Sequence, residues 1–286
     1  TEVPMDSIAL KLFTGIEKFE IMAIPFFILA GSFLTHGGVA QRMIRFAASL
    51  VGHMPGGMGL AAVLACALFA SISGSSPATV AAIGSIMIPA MVKAGYPLDV
   101  AAAMAAAAGT LGVIIPPSIP MVTYGVVTNT SIGDLFVAGF VPGLLIAAAL
   151  IGIVLWLAKK HDLRGGEPTS LKKVLTTGKD ALLALFMPII ILGGIYGGIF
   201  TPTEAAAVAT VYAFIVGMFV FREIGLADLR GIIMKAAVSS AVVMFVIATS
   251  SSFSWLLTSL QVPEKVASGM LEISQNPTVI LLLLNC

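Results

Sequence analysis

Apolar runs separated by short polar stretches organise this sequence from end to end. Five runs, at residues 20–36, 98–127, 135–157, 181–200 and 203–221, are long enough as helices to cross a hydrocarbon layer, and a sixth lies at 237–260. The yardstick is a layer of about 30 Å and a rise of about 1.5 Å per residue. The run at 98–127 is interrupted. Residues 58–91 behave differently: two apolar arms, 58–72 and 77–91, flank Ser73-Gly74-Ser75-Ser76. Each arm is short for a full crossing, so the pattern predicts a re-entrant hairpin over 58–93 that enters and leaves on one side. Amphipathic pieces at 7–18, 39–51, 226–236 and 262–273 sit between the long runs. The run at 279–284 is too short to span, and the chain reads as a fragment of a longer protein.

Composition agrees with lipid as the solvent. Only 10% of the 286 residues are charged and 58% are hydrophobic, whereas a soluble domain carries about a quarter charged residues. A net charge of +1 argues against a nucleic-acid partner. Cys66 and Cys286 belong to no CxxC or Cys/His cluster, which speaks against a disulfide framework or a zinc site; both read as small packing residues. The expected class is an all-α polytopic membrane protein.

Charge also orients the chain. The most polar loop, 159–180, carries Lys159, Lys160, Arg164, Lys172, Lys173 and Lys179, and the positive-inside rule assigns it to the cytoplasm. With the hairpin counted as non-crossing, Arg42, Arg45, Lys93, Arg222, Arg230 and Lys235 fall on the same side. Of the 15 basic residues, only Lys11, Lys18 and Lys265 are then left outside. A hairpin counted as one crossing would move Arg42 and Arg45 out. A weak internal repeat appears on the same walk: pieces 7–18, 20–36 and 39–51 return as 226–236, 237–260 and 262–273, with the crossing reversed in direction. A second hairpin would then start at Asn276-Pro277.

The chemistry concentrates at two breaks. At the hairpin tip, Ser76 is a good N-cap and Pro77 a good first helical residue, so the second arm's positive end points inward, where it can receive an anion. The second break is Gly109-Thr110-Leu111-Gly112 followed by Pro116-Pro117-Ser118. The two prolines cannot donate to carbonyls one turn earlier, which leaves oxygens around 109–112 under-satisfied at a depth where only a protein interior or wet cavity tolerates them. A second helical half should restart near Ser118. Free carbonyls and hydroxyls suit an alkali cation. No acid lies in residues 41–92 or 101–132, and His36, His53 and His161 fall at segment ends, so sodium coupling is favoured over a proton relay.

Blander readings take other features. Thr201-Pro202-Thr203-Glu204 reads as a capping box, as does Ser131 with Asp134. Gly193, Gly194, Gly197 and Gly198 read as close-packing glycines, and Trp156 and Trp255 as anchors or core. A proton-coupled carrier or a channel built on the same broken helices is the alternative function. An intramembrane enzyme with Ser75 or Ser76 as nucleophile lacks a nearby base.

Three motifs together, Ser73-Gly74-Ser75-Ser76-Pro77-Ala78-Thr79, Gly109-Thr110-Leu111-Gly112 with Pro116-Pro117-Ser118, and Gly197 to Ala206, resemble the large membrane subunit of TRAP transporters. The resemblance implies an inverted-repeat, elevator-type fold similar to divalent-anion/sodium symporters. It implies a small four-helix membrane subunit, a periplasmic binding protein, and a carboxylate substrate such as a C4-dicarboxylate or sialic acid. It implies no catalysis and no cofactor, with Na+ as coupling ion, in the bacterial inner membrane. Carried over by motif, Ser73, Ser75, Ser76, Gly109, Thr110 and Gly112 would frame a sodium site, and Ser76, Thr79 and Ser118 would lie near the substrate carboxylate. Pro77, Pro116 and Pro117 would break the helices. The expected division is a scaffold helix with arms (1–52), a transport domain (53–130, with the broken helix at 97–127), a connector and cytoplasmic loop (131–179), the start of a second repeat (180–275) and the start of a truncated second hairpin (276–286).

Overall fold

A computed structural model of the chain describes residues 5–163, 165–166 and 169–285; Arg164 and Cys286 lie outside them. Every regular element among the described residues is helical. In chain order these are α1 (Met5–Thr14), α2 (Ala23–His36), α3 (Val39–Val51), α4 (Gly57–Ser73), α5 (Ser76–Lys93), α6 (Leu98–Gly109) and α7 (Ile119–Thr128). They continue as α8 (Ile132–Lys160), α9 (Leu171–Tyr196), α10 (Pro202–Ile215), α11 (Leu226–Ser259), α12 (Val262–Ile273) and α13 (Pro277–Asn285). Among the described residues, six segments are long and apolar enough to cross a membrane: Phe19–His36, Ser76–Lys93, Ile132–Lys160, Leu171–Tyr196, Pro202–Val220 and Leu226–Ser259. Five of them match the long uninterrupted runs of the sequence. The sixth is the hairpin's second arm, which gains length by running on through Lys93.

Two boundaries differ from the sequence pattern, each for a local reason. The stretch 159–180 is helical at both ends, because Ser170 caps α9 through the Lys172 N–H at 3.3 Å and the helix starts well before the apolar run. Pieces 226–236 and 237–260 merge into one 34-residue helix, since nothing in Lys235-Ala236-Ala237 breaks it. In the matching N-terminal copy, Gly15 closes α1 with an N–H donated to Lys11 O at 3.0 Å. The copies still share a local device: Gly38 (φ 71°) and Gln261 (φ 55°) each turn the chain in the left-handed region before an amphipathic helix.

Contacts divide the chain into two compact units, Phe19–Ser240 and a second made of Thr1–Lys18 with Ala241–Cys286. In the smaller unit, Ser252 Oγ donates to Ile8 O at 3.3 Å, and Asn276 Oδ1 accepts the Thr278 N–H at 3.0 Å to start α13. In the larger unit, α10 packs along α2. Buried Ala205, Ala206, Ala209 and Ala213 let the axes approach, and Phe33 of α2 meets Phe214 of α10 with ring centroids 5.5 Å apart. Thr210 Oγ1 donates to Phe26 O across this seam at 2.8 Å. The capping box at Thr201 and Glu204 is complete, with Pro202 at the first helical position. Ser131 accepts the Asp134 N–H at 3.3 Å to start α8. Among the described residues, the glycine run meets no other helix: Gly194 receives the Phe200 ring, and Gly198 (φ 67°) shapes the turn after α9.

The hairpin α4–α5 closes on itself. Tyr96, just after α5, donates to Gly56 O at 2.8 Å and accepts the Gly59 N–H at 3.2 Å, so both ends of the hairpin meet. The loop after α8 joins them there: Gly56 N–H donates to Leu163 O at 3.3 Å, and Gly166 N–H to Gly52 O at 2.9 Å. On α3, Ser49 Oγ lies 2.8 Å from Thr177 Oγ1 of α9, and Arg42 pairs with Glu223 at 2.7 Å.

Candidate functional site

The hairpin turn is two residues long. Gly74 ends α4 with φ 62°, a conformation that favours glycine, and Ser75 follows in extended backbone. Ser75 rather than Ser76 is the N-cap: its side chain accepts the Ala78 N–H at 3.5 Å, and Ser76 is already helical. Pro77 then sits at the second helical position. Proline is tolerated there for the same reason as at the first, because the N–H it lacks would have no partner within the helix.

The tip is a cluster of hydroxyls and carbonyls. Ser73 Oγ and Thr79 Oγ1 are 2.9 Å apart, with the residues 1% and 0% exposed. Thr79 Oγ1 donates to Ser75 O at 2.9 Å, and the Thr79 N–H reaches the same oxygen at 3.0 Å. Ser73 Oγ accepts the Ser75 N–H at 3.5 Å.

The tip meets the second break. Helix α6 tightens into a 3-10 turn at Thr110–Val113, then stops, and α7 restarts at Ile119 with Ser118 as N-cap. Ser118, 0% exposed, bridges the gap: its hydroxyl donates to Val113 O at 2.7 Å and accepts the Met121 N–H at 3.4 Å. Pro116 and Pro117 are buried inside the gap and Pro77 is exposed. The two breaks are joined directly: the Ile119 N–H donates to Gly74 O at 3.1 Å, and Ser76 Oγ donates to Thr110 O at 3.3 Å. Glycines permit this approach. A Cβ on Gly112 would stand 2.6 Å from Thr79 Oγ1 and 2.8 Å from Ser75 O; one on Gly109 would overlap Val80 Cγ2.

Several expected groups are engaged differently. The Leu111 carbonyl, expected to be free, accepts both the Ile114 and the Ile115 N–H, at 3.1 and 2.9 Å, because the 3-10 turn folds them back. The Thr110 hydroxyl turns to its own helix, donating to Ala107 O at 2.7 Å, and leaves its carbonyl to Ser76. The start of α7 has few donors left for an anion: Ile119 and Met121 are taken and Pro120 has no N–H. Of the three hydroxyls expected near a carboxylate, Thr79 and Ser118 are fully buried, and only Ser76 is partly exposed.

One residue escaped the sequence reading, and so did the role of another. Gly31 of α2 faces Ser73, where a Cβ would lie 3.6 Å from its Cα; the small-residue run Ala30-Gly31-Ser32 in an apolar segment was the available signal. Gly74 supplies the carbonyl that joins the breaks, and a glycine between serines marked it. The assembled donors are neutral, hard oxygens, which match an alkali cation. Among the described residues, no three of His, Cys, Asp and Glu stand together as a transition-metal site.

The family model of the tripartite ATP-independent periplasmic transporter, DctM component, matches residues 1–286. The chain is 47% identical over 299 residues to the C4-dicarboxylate TRAP transporter large permease protein DctM of Rhodobacter capsulatus, covering 100% of this chain and 68% of that protein. It is 39% identical over 277 residues to the sialic acid TRAP transporter large permease protein SiaM of Vibrio cholerae, covering 97% and 65%. It is 46% identical over 284 residues to the isethionate TRAP transporter permease protein DctMQ of Oleidesulfovibrio alaskensis, covering 99% of this chain and 45% of that protein.

Proposed function

Because the chain belongs to the DctM-component family of tripartite ATP-independent periplasmic transporters, we propose that it is the translocating core of a sodium-driven permease. It moves a small carboxylate, a C4-dicarboxylate or sialic acid, across the bacterial inner membrane. A periplasmic binding protein delivers the substrate, and a small membrane subunit completes the carrier.

The observation that carries this reading is the junction of the two breaks: Gly74 O on the Ile119 N–H, and Ser76 Oγ on Thr110 O. Irregular backbone at membrane depth is tolerated only where protein or water satisfies it, and it marks the binding sites of transporters. Sodium docks among Ser73, Ser75, Ser76, Gly109, Thr110 and Gly112, drawing oxygens away from their present hydrogen bonds. Ser76, the partly exposed hydroxyl of the three, then receives the carboxylate, while Thr79 and Ser118 hold the backbone around it. Asp99 and Asp134 are the acids nearest the break on either side in sequence. That distance favours sodium over a proton as the coupling ion.

Connectivity supports a re-entrant hairpin. Ser49 and Thr177 share a hydrogen bond, so they lie on one side of the membrane. The hairpin, the broken helix and α8 separate them in sequence. With one crossing each for the broken helix and α8, the hairpin adds none or two. The Tyr96 closure of its ends, with its tip against the middle of another broken segment, favours none. Hairpin and broken helix then move as one body against α2, α3, α9 and α10, the elevator arrangement.

The test is uptake by the full-length permease in proteoliposomes with its binding protein. Ser76→Ala and Gly112→Val should each abolish sodium-dependent uptake. Unchanged uptake in both rejects the assignment.

A further inference from the structure

A cleft of about 370 Å³ opens between α3, α9 and the stretch that follows α10, lined by Arg42, Arg45, Lys179, Asp180, Leu183 and Phe221. We propose that this cleft holds the phosphodiester headgroup of an anionic membrane lipid. The proposal rests on the membrane reading above but not on the ion site, which uses none of these residues.

Arg42 is the fixed element. Its Nη1 donates to Glu223 Oε1 at 2.7 Å and to Gly38 O at 3.0 Å, and its guanidinium stacks 3.7 Å from the Phe221 ring centroid. These contacts hold the planar group in place through Nη1, and Nε and Nη2 make no hydrogen bond among the described residues, the geometry that suits phosphate oxygens. Arg45 follows one turn later on the same face of α3. Lys179 approaches from α9. Both side chains are exposed, and neither makes an ion pair among the described residues. Thr177, also in the lining, is already bonded to Ser49, so anion recognition falls to the cations.

The charge sum selects the ligand class. Glu223 neutralises Arg42, and Asp180 offsets one of Arg45 and Lys179, so a single positive charge remains. That matches a singly charged phosphodiester better than a doubly charged phosphate monoester. The walls select lipid over free phosphate. Leu183 and Phe221 are apolar, and Leu182, Phe186 and Ile189 continue along α9 as exposed apolar side chains about one turn apart, a seat for an acyl chain. Basic side chains at the cytoplasmic face meet the leaflet where anionic lipids concentrate.

The experiment uses the full-length permease, delipidated in neutral detergent. Its melting temperature is followed as short-chain phosphatidylglycerol, phosphatidylcholine or inorganic phosphate is added. Phosphatidylglycerol should raise it with the logarithm of concentration. Arg45→Gln combined with Lys179→Gln should lose most of that rise while keeping the lipid-free melting temperature. An undiminished rise in the double variant, or an equal rise with phosphatidylcholine, overturns the site. An equal rise with inorganic phosphate overturns the lipid as its ligand. The melting comparison requires no transport, so its failure is separate from a failure of sodium-driven uptake.

Discussion

The hairpin tip and the α2–α10 seam both place hydroxyls deep in apolar surroundings, and they use them in opposite ways. In the seam, Thr210 Oγ1 reaches both Phe26 O and Ala206 O, at 2.8 and 2.9 Å, oxygens of helices whose backbone runs on regularly. The hydroxyl adds a cross-link, and small alanines set the spacing. At the tip, Ser75 caps the first turn of α5, Ser118 reaches the Val113 carbonyl across the gap, and Ser73 and Thr79 bond to each other as a buried pair. Removing a hydroxyl from the seam loses one bond between otherwise satisfied helices. Removing the Ser118 hydroxyl from the gap leaves the Val113 carbonyl without its partner, which costs more. A scaffold is therefore expected to tolerate loss of its hydroxyls, and a site with exchangeable oxygens is not.

The largest contrast is expected at Gly112. A valine there meets Thr79 Oγ1 and the Ser75 carbonyl, which cannot move without opening the tip. Such overpacking costs about 1–3 kcal/mol, and sodium-dependent uptake in proteoliposomes should fall to background. Gly31→Leu should come next. It inserts bulk where α2 faces Ser73, so uptake should drop at least about tenfold, equivalent to about 1.4 kcal/mol, while stabilisation by sodium in a melting assay persists. Loss of that stabilisation would mean that the tip itself had been disrupted rather than its movement. A double-mutant cycle of Ser73→Ala and Thr79→Val should return a coupling of about 1 kcal/mol in unfolding free energy. Additive effects would show that the buried pair is not a functional unit. The smallest effect belongs to the seam: Thr210→Val should cost about 1 kcal/mol or less of stability and leave uptake within about twofold.

The same comparison shows what was legible in the sequence. Continuous spans declare themselves, because lipid requires apolar length and α8, α9 and the segment Pro202–Val220 supply it. Both breaks were visible as well, since Gly74, Gly112, Pro116 and Pro117 have no good use inside a regular helix. The register of the caps was not. In Ser75-Ser76-Pro77 either serine satisfies the rules, and the extended backbone of Ser75 decides. Hydrogen-bond partners were also hidden, because they depend on how distant segments meet. Nothing local indicates that the Leu111 carbonyl takes two N–H groups, that the Thr110 hydroxyl turns away, or that Tyr96 ties the two ends of the hairpin together. The 34-residue α11 was divided on polarity alone, although no residue within it stops a helix.

The most direct measurement is equilibrium binding of radioactive sodium to the purified full-length permease, unsubstituted and with Gly112→Ala or Ser73→Ala. If the joined breaks hold the coupling ion, both variants bind fewer sodium ions per protein, or bind them at least about tenfold more weakly, about 1.4 kcal/mol, while the scaffold variant Thr210→Val binds as the unsubstituted protein does. An isotherm unchanged by both tip substitutions would contradict the account.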